Sequence, residues 1–166
     1  TFFDPACGSG NFLTETYLSL RRLENEVVRA AAVDTQDMPA LGEAFTPIRV
    51  SIDRFYGIEI NDFAVVVART AMWIAETSMK RETASIVHHD LDFFPLRSEA
   101  HIAEDNALRL DWRTVCPAPD YIIGNPPFVG YSLQSKEQKE DLLSVYVDES
   151  DKPYKATGKI DYVAGW

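Results

Sequence analysis

No run of about 18 apolar residues occurs in this 166-residue chain, so a helix spanning a membrane is excluded. Nor does a basic segment lead into an apolar one near the N-terminus, and no secretory signal is visible. Cysteine is scarce. Cys7 and Cys116 are too few to staple a domain of this size, and reduced thiols in a cytoplasmic protein are the plainer reading. Positive charge is also short: 16 Lys and Arg stand against 26 Asp and Glu, a formal net charge of −10. That balance argues against a surface that grips nucleic-acid phosphates unaided. No internal repeat or low-complexity tract appears. What remains is an ordinary globular mix, 46% apolar and 25% charged, with length for one domain. The chain starts inside the apolar run Thr1-Phe2-Phe3 and stops inside Val163-Ala164-Gly165-Trp166, so it is expected to be a piece of a longer polypeptide.

The hydrophobic pattern alternates between strand-like and helical stretches. Phe2 to Ala6 reads as a short buried strand that stops at the Gly-rich turn Cys7-Gly8-Ser9-Gly10-Asn11. From Phe12 to Ala31 apolar residues recur at helical spacing, giving about five turns, and Asp34 to Pro47 reads as a loop. A second strand lies in Arg54 to Ile60. Asn61 and Asp62 then offer an N-cap to a helix over Phe63 to Met79 that is apolar nearly all round, hence buried. Ser85-Ile86-Val87-His88 suggests a short strand, Phe93 to Leu96 a turn, and His101 to Asp105 a third core strand. Asp120 to Gly124 supplies a fourth. Ser135 to Tyr146 is a charged amphipathic helix, and a further helix begins at Ile160. Strands alternating with helices imply an α/β fold with an open parallel sheet and right-handed crossovers.

Four constellations carry chemistry. In Asp4-Pro5-Ala6-Cys7-Gly8-Ser9-Gly10-Asn11-Phe12-Leu13 the glycines let backbone approach a ligand, and the helix that follows offers free N–H groups. A dinucleotide site would want a third glycine where Leu13 stands, and a triphosphate loop would want Lys-Ser/Thr. A smaller ligand fits better, with a carboxylate for the helix end and an ammonium for Asp4; a plain strand-to-helix turn is the alternative. Glu59 ends the second strand, where an acidic residue accepts hydrogen bonds from ribose hydroxyls. Asp105, followed by Asn106 and Ala107, ends the third; it suits an adenine amino group, or is simply a turn former. The fourth constellation is Gly124-Asn125-Pro126-Pro127-Phe128. Proline stiffens this loop, so the Asn125 side-chain oxygen and the Pro126 carbonyl can accept from one planar amino group while Phe128 offers a stacking face.

The order Asp4-Pro-Ala-Cys-Gly-Ser-Gly, Tyr56-Gly-Ile-Glu59, Asp105, Asn125-Pro-Pro-Phe128 resembles the S-adenosylmethionine-dependent DNA adenine-N6 methyltransferases in their gamma arrangement. More narrowly, Asn106 to Trp112, Gly124 to Gly130 and Lys159 to Trp166 look like the MmeI-like single-chain restriction–modification enzymes (type IIL). The resemblance implies a truncated Rossmann-like class I methyltransferase core with sheet order 3-2-1-4 and flanking helices. It implies one partial catalytic domain over residues 1–166, with cofactor motifs in 1–112 and the catalytic loop and following helices in 113–166.

The cofactor would be S-adenosyl-L-methionine. Asp4, Ala6, Gly8 and Gly10 would line its methionine part, with Cys7, Asn11 and Phe12 also in the cofactor site, and Glu59 would take the ribose hydroxyls. Ile60 would pack on the adenine and Asp105 would hold its amino group, with Asn106 and Ala107 also in the cofactor site. Asn125, Pro126, Pro127 and Phe128 would form the catalytic clamp on a flipped adenine. Double-stranded DNA would be held through domains outside this chain, and the shortened sheet would be prone to self-association. Methylation of a glutamine amide or an RNA guanine amino group, or an inactive cofactor-binding fragment, are the alternatives that the same loop leaves open.

Three weaker signals point elsewhere. Glu137-Gln138-Lys139 has a nuclease-like Glu-x-Lys form but falls in a charged helical run. His88-His89-Asp90 would face opposite sides of a strand, so no metal is expected. Cys7 has no His partner and reads as a small packing residue rather than a nucleophile.

Overall fold

Phe2-Phe3-Asp4, short as it is, forms the central strand of the molecule. The structure is a computed structural model that describes residues 1–34, 48–87, 99–154 and 159–166. Strands β1 (Phe2–Asp4), β2 (Phe55–Glu59), β3 (His101–Glu104) and β4 (Tyr121–Ile122) make one sheet in the order β3-β2-β1-β4. All pairings are parallel, with Phe2 opposite both Phe55 and Tyr121, and Glu59 opposite Glu104. This is the expected order 3-2-1-4. β1 stops at Asp4 because Pro5 has no N–H for the ladder, and the next free amide, Ala6, turns back to the Asp4 Oδ1 at 3.0 Å.

Successive side chains of a strand point to opposite faces, and Phe2 and Phe3 therefore seed two different cores. Phe2 stacks between Phe55 and Tyr121, with ring centroids 5.1 and 5.0 Å away. On this face lie the helices α1 (Asn11–Asp34) and α2 (Asp62–Val87). Both crossovers step the same way along the sheet and are right-handed, so both helices land on one side. Leu13 and Tyr17 of α1 meet Val65, Ala68, Met72 and Met79 of α2 over Phe55 and Ile102. Phe3 and Ile58 face the other way. Ala107, Cys116, Trp112 and Trp166 cover them, supplied by the β3–β4 connection and the 3-10 turn Tyr162–Gly165. The third helix, α3 (Lys136–Val145), starts at a capping box in which Ser135 and Gln138 satisfy each other's backbone N–H, and its Leu142 packs with Leu108 and Tyr162.

Four expectations are corrected. Ser85-Ile86-Val87 is the last turn of α2, not a strand; His88, like Phe93 to Leu96 and His89-Asp90, lies outside the described residues. Tertiary contact overrides the strand preference of Ile-Val here. Thr83 is buried against α1, accepting from Arg21 at 2.6 Å and donating to Asn25 Oδ1 at 2.7 Å, and this keeps the helix running. Secondly, α2 is not buried all round: Phe63, Val66, Trp73 and Ile74 are exposed. The apolar run is real, but the sheet lies on one side of the helix only. Finally, no α-helix begins at Ile160. The bonds it would need go elsewhere, with the Tyr162 N–H donating to the Val129 carbonyl at 2.8 Å and Gln134 Nε2 to the Ile160 carbonyl at 2.8 Å. The Asp34–Pro47 loop also starts later than read, since Asp34 closes α1; residues 35–47 lie outside the described set.

β4 is an edge. Tyr121 and Ile122 are 60% and 57% exposed, and no strand among the described residues pairs with its outer side. No described helix is long and apolar enough to cross a membrane.

Candidate functional site

Because every strand is parallel, all four carboxyl ends open on one edge of the sheet. β1 leads through α1 to β2 on one side, while β4 enters on its other side. The loops after β1 and β4 therefore diverge and leave a crevice, the usual ligand position in an open α/β sheet.

The loop after β1 is held by backbone and by Glu59. Cys7 N–H bonds the Ile58 carbonyl at 3.0 Å, and Gly10 N–H bonds the Cys7 carbonyl at 2.8 Å. Gly8 and Gly10 have φ of +55° and +80°, a region costly for residues with a Cβ. The two glycines differ in what surrounds them. A Cβ on Gly8 would meet nothing within 4 Å, so the chain is open there to a ligand, whereas one on Gly10 would lie 3.0 Å from the Ala68 Cβ. Gly10→Ala should therefore destabilise the fold by about 1–3 kcal/mol through strain and the pressed α1–α2 contact; an unchanged urea midpoint would refute this. Glu59 bridges the two strand ends, accepting from Gly8 N–H at 3.0 Å and from Asn61 N–H at 2.8 Å. A carboxylate offers about four lone-pair sites, so acceptor capacity is left over.

Asp4 sits at the bottom of the crevice, 1% exposed. Its Oδ1 accepts from Ala6 N–H, while Oδ2 is buried with no hydrogen-bond partner among the described residues. Burial raises its pKa from the ordinary 3.8 to about 6; the Ala6 amide works against the rise and the Glu59 charge adds to it. A buried carboxylate oxygen left without a donor calls for one from a ligand, and a cation suits it. Burial, followed by the charges of Asp4 and Glu59, pushes the Cys7 thiol up to about 12. It stays protonated at neutral pH, which suits the packing role, and its Sγ would lie 2.8 Å from a Cβ on Gly57.

Across the crevice, Ile123 N–H donates to the Phe3 carbonyl at 2.9 Å and brings Gly124 against Asp4. A Cβ on Gly124 would stand 2.6 Å from the Asp4 Oδ1. The next residue, Asn125, is exposed, Pro126 is half-buried, Pro127 is exposed and Phe128 is 76% exposed. The amide, the stiff prolines and the free aromatic face thus follow directly from the buried carboxylate. Asn11 and Phe12, at the start of α1, are exposed.

The third strand end adds Asp105, whose N–H bonds the Glu59 carbonyl at 3.0 Å and whose side chain is exposed. Ile60, at the tip of β2, is 67% exposed. The side chain of Ala107 is buried in the Phe3 core and its carbonyl accepts from Trp112 Nε1 at 2.7 Å. Asn106 is half-buried, its Oδ1 accepting from Leu108 N–H at 3.0 Å, so of that trio only Asp105 turns an exposed side chain outward. Glu137 and Lys139 lie on the exposed face of α3, as their helical run required. Among the described residues no cluster of three or more His, Cys, Asp or Glu is placed to hold a metal ion. A groove of about 470 Å³ lined by Phe3, Leu108, Trp112 and Cys116 lies on the sheet face under the β3–β4 connection, not at the strand ends.

Two features escaped the sequence reading. The close approach of Gly124 to Asp4 had one available sign, a glycine between strand and Asn-Pro-Pro. The buried Asp141, set among Arg109 and Tyr162, had none, since all three are spread along the chain.

Residues 1–166 match the family described as MmeI, DNA-methyltransferase domain. The sequence is 41% identical over 170 residues to DNA methyltransferase A of Bacillus subtilis (strain 168), an alignment covering 99% of this chain and 18% of that protein. The fold superposes with a TM-score of 0.85 and 40% identity on the solved structure of the type IIL restriction–modification enzyme MmeI in complex with DNA, covering 100% of this chain and 21% of that one. The chain thus spans about a fifth of the length of either relative.

Proposed function

The chain belongs to the MmeI DNA-methyltransferase domain family, and from that premise we propose that the protein carrying it methylates N6 of adenine in double-stranded DNA. The donor is S-adenosylmethionine, the domain is part of a restriction–modification protein of the cytoplasm, and residues 1–166 are one portion of its catalytic domain. The observation that carries the reading is the buried, unpartnered Asp4 Oδ2 lying beside the glycine that leads into Asn125-Pro126-Pro127-Phe128.

The residues present suit this cofactor. Asp4 Oδ2 would accept a hydrogen bond from its ammonium group, the open side of Gly8 would let the methionine part lie against backbone, and the α1 N-terminus would offer free N–H groups to its carboxylate. Glu59 has acceptor capacity for ribose hydroxyls beyond its two backbone bonds. Exposed Asp105 accepts from the adenine amino group, and exposed Ile60 offers an apolar surface to the ring. The bound cofactor supplies an electrophilic methyl group on a sulfonium.

Asn125 Oδ1 and the Pro126 carbonyl would accept hydrogen bonds from the two N–H groups of the target amino group, which would leave its lone pair free to receive the methyl group. The N–C bond would form as the C–S bond breaks and a neutral thioether leaves, and the methylated nitrogen would then lose its extra proton to water, so no strong base is needed. Phe128 stacks on the extruded base and returns part of the few kcal/mol spent on unstacking it. With a net charge of −10, the chain leaves the grip on the duplex to other parts of the protein.

The test is to incubate the full-length protein with methyl-labelled cofactor and duplex DNA, RNA and protein substrates, then digest and separate the products. Label in N6-methyldeoxyadenosine supports the reading. Label in another base, in RNA or in a glutamine side chain overturns it.

Cofactor binding should also depend on pH with a definite sign. Because the pKa of Asp4 is raised to about 6, the carboxylate is largely protonated at pH 5 and loses its attraction for a cation. The Kd for S-adenosylmethionine should rise about tenfold between pH 7.5 and pH 5, and Asp4→Asn should bind weakly with a flat profile. A flat wild-type profile would remove Asp4 from this role.

A further inference from the structure

The Asp105 turn is fixed from outside the sheet. Asn106 turns the chain, its carbonyl accepting from Arg109 N–H at 2.9 Å and Leu110 N–H at 3.0 Å. The turn is then anchored to α3 through Asp141, whose side chain is 4% exposed. Asp141 Oδ1 accepts from Arg109 Nε at 2.5 Å and Oδ2 from the Tyr162 hydroxyl at 2.8 Å. The Asn106 side chain closes the turn itself, its Oδ1 accepting from Leu108 N–H at 3.0 Å.

Tyr162 faces two ways. Its hydroxyl reaches Asp141, while its backbone N–H bonds the carbonyl of Val129, the residue after Phe128, at 2.8 Å. Neighbouring bonds reinforce that grip: Asp161 Oδ1 accepts from Tyr131 N–H at 3.0 Å, and Gln134 Nε2 donates to the Ile160 carbonyl at 2.8 Å. A continuous set of bonds therefore runs from the catalytic loop through Tyr162 and Asp141 to the turn that presents Asp105.

We infer that Asp141 is a positioning residue for cofactor binding: with Tyr162 it fixes the Asn106–Arg109 turn, and so Asp105, relative to the Asn125–Phe128 loop. The inference rests on the cofactor roles given above. Asp141 itself touches neither cofactor nor base. A carboxylate buried against Arg109 and the Tyr162 hydroxyl is costly unless both are in place, so the arrangement holds one geometry and resists drift of either loop.

The test uses the full-length protein. Asp141→Asn keeps the shape but leaves Arg109 without its charge partner; Tyr162→Phe keeps the ring and the N–H to Val129 but removes the hydroxyl. Kd for S-adenosylmethionine and kcat and KM with duplex DNA are measured beside unfolding midpoints. Asp141→Asn should raise cofactor Kd and KM about tenfold and Tyr162→Phe about threefold, with the double variant no worse than Asp141→Asn alone because both act through one path. A purely structural role would lower the unfolding midpoint and leave Kd and KM of the folded protein unchanged, and that result overturns the inference. If Asp141→Asn fails to fold, Tyr162→Phe decides: an unchanged Kd is fatal, a threefold rise supports. A wild-type protein that does not bind the cofactor sinks the functional reading and this one together; wild-type binding with unaffected variants sinks this one alone.

Discussion

Asn125→Ala in the full-length protein is expected to lower methyl transfer on the order of 10²-fold or more, while leaving the Kd for S-adenosylmethionine within a few-fold. The split follows from geometry. Asn125 is exposed at the mouth of the crevice, and none of the bonds that hold the glycine loop involves it. Those bonds are Gly8 N–H to Glu59, Cys7 N–H to the Ile58 carbonyl and Gly10 N–H to the Cys7 carbonyl. On the proposed reading, removing the amide takes away one of two acceptors for the target nitrogen, a loss felt only when the base is in place. Loss of a single preorganised polar group at a reacting centre costs about 10²–10³ in rate. Glu59→Ala should do the reverse, because two backbone N–H groups lose their acceptor and the loop that receives the cofactor loosens. Single-turnover methylation and equilibrium cofactor titration on both variants check the division. Comparable loss of cofactor affinity in the two would show that the roles are misassigned.

The fold was legible where the sequence encodes it locally. Phe2-Phe3-Asp4 with the glycines behind it, Glu59 at the end of a β-branched and aromatic run, and Asn125-Pro-Pro after Ile122-Ile123 each mark a strand end. Once all strands are parallel those ends must gather on one edge. What stayed hidden depends on partners far away in sequence. Nothing near Ser85-Ile86-Val87 says helix; the information is in Arg21, which reaches Thr83. Tyr162 looks like the start of a helix until its N–H is seen to be taken by Val129. The apolar excess on α2 gives the opposite lesson. The sequence shows that Phe63, Val66, Trp73 and Ile74 are apolar but not how many sides of the helix the sheet covers, and these four stay exposed. Glu59 was legible as a strand-end acid, but its bond to Gly8, 51 residues earlier, was not.

Gly124→Ala should be nearly as damaging as Asn125→Ala, though for a different reason and with a different signature. The new methyl would lie 2.6 Å from Asp4 Oδ1 and 3.3 Å from its Cγ, closer than ordinary van der Waals contact. Asp4 has little room to yield: it ends the central strand, paired on both sides, and Ala6 N–H holds its Oδ1. β4 is the weaker party, two residues long and, among the described residues, hydrogen-bonded along one edge only. The strand end must therefore withdraw and carry Asn125 with it. Overpacking of this kind costs about 1–3 kcal/mol of stability, and a displacement near 1 Å at a reacting centre costs about 10²-fold in rate. Unlike Asn125→Ala, the change presses on the buried carboxylate itself, so cofactor affinity should fall together with rate. The cause can be isolated in an Asp4→Ala background, where the methyl group meets no carboxylate and Gly124→Ala should add little to the loss already present. Full activity and an unchanged unfolding midpoint for Gly124→Ala alone would mean that the strand end and the buried carboxylate do not press together as closely as the catalytic arrangement requires.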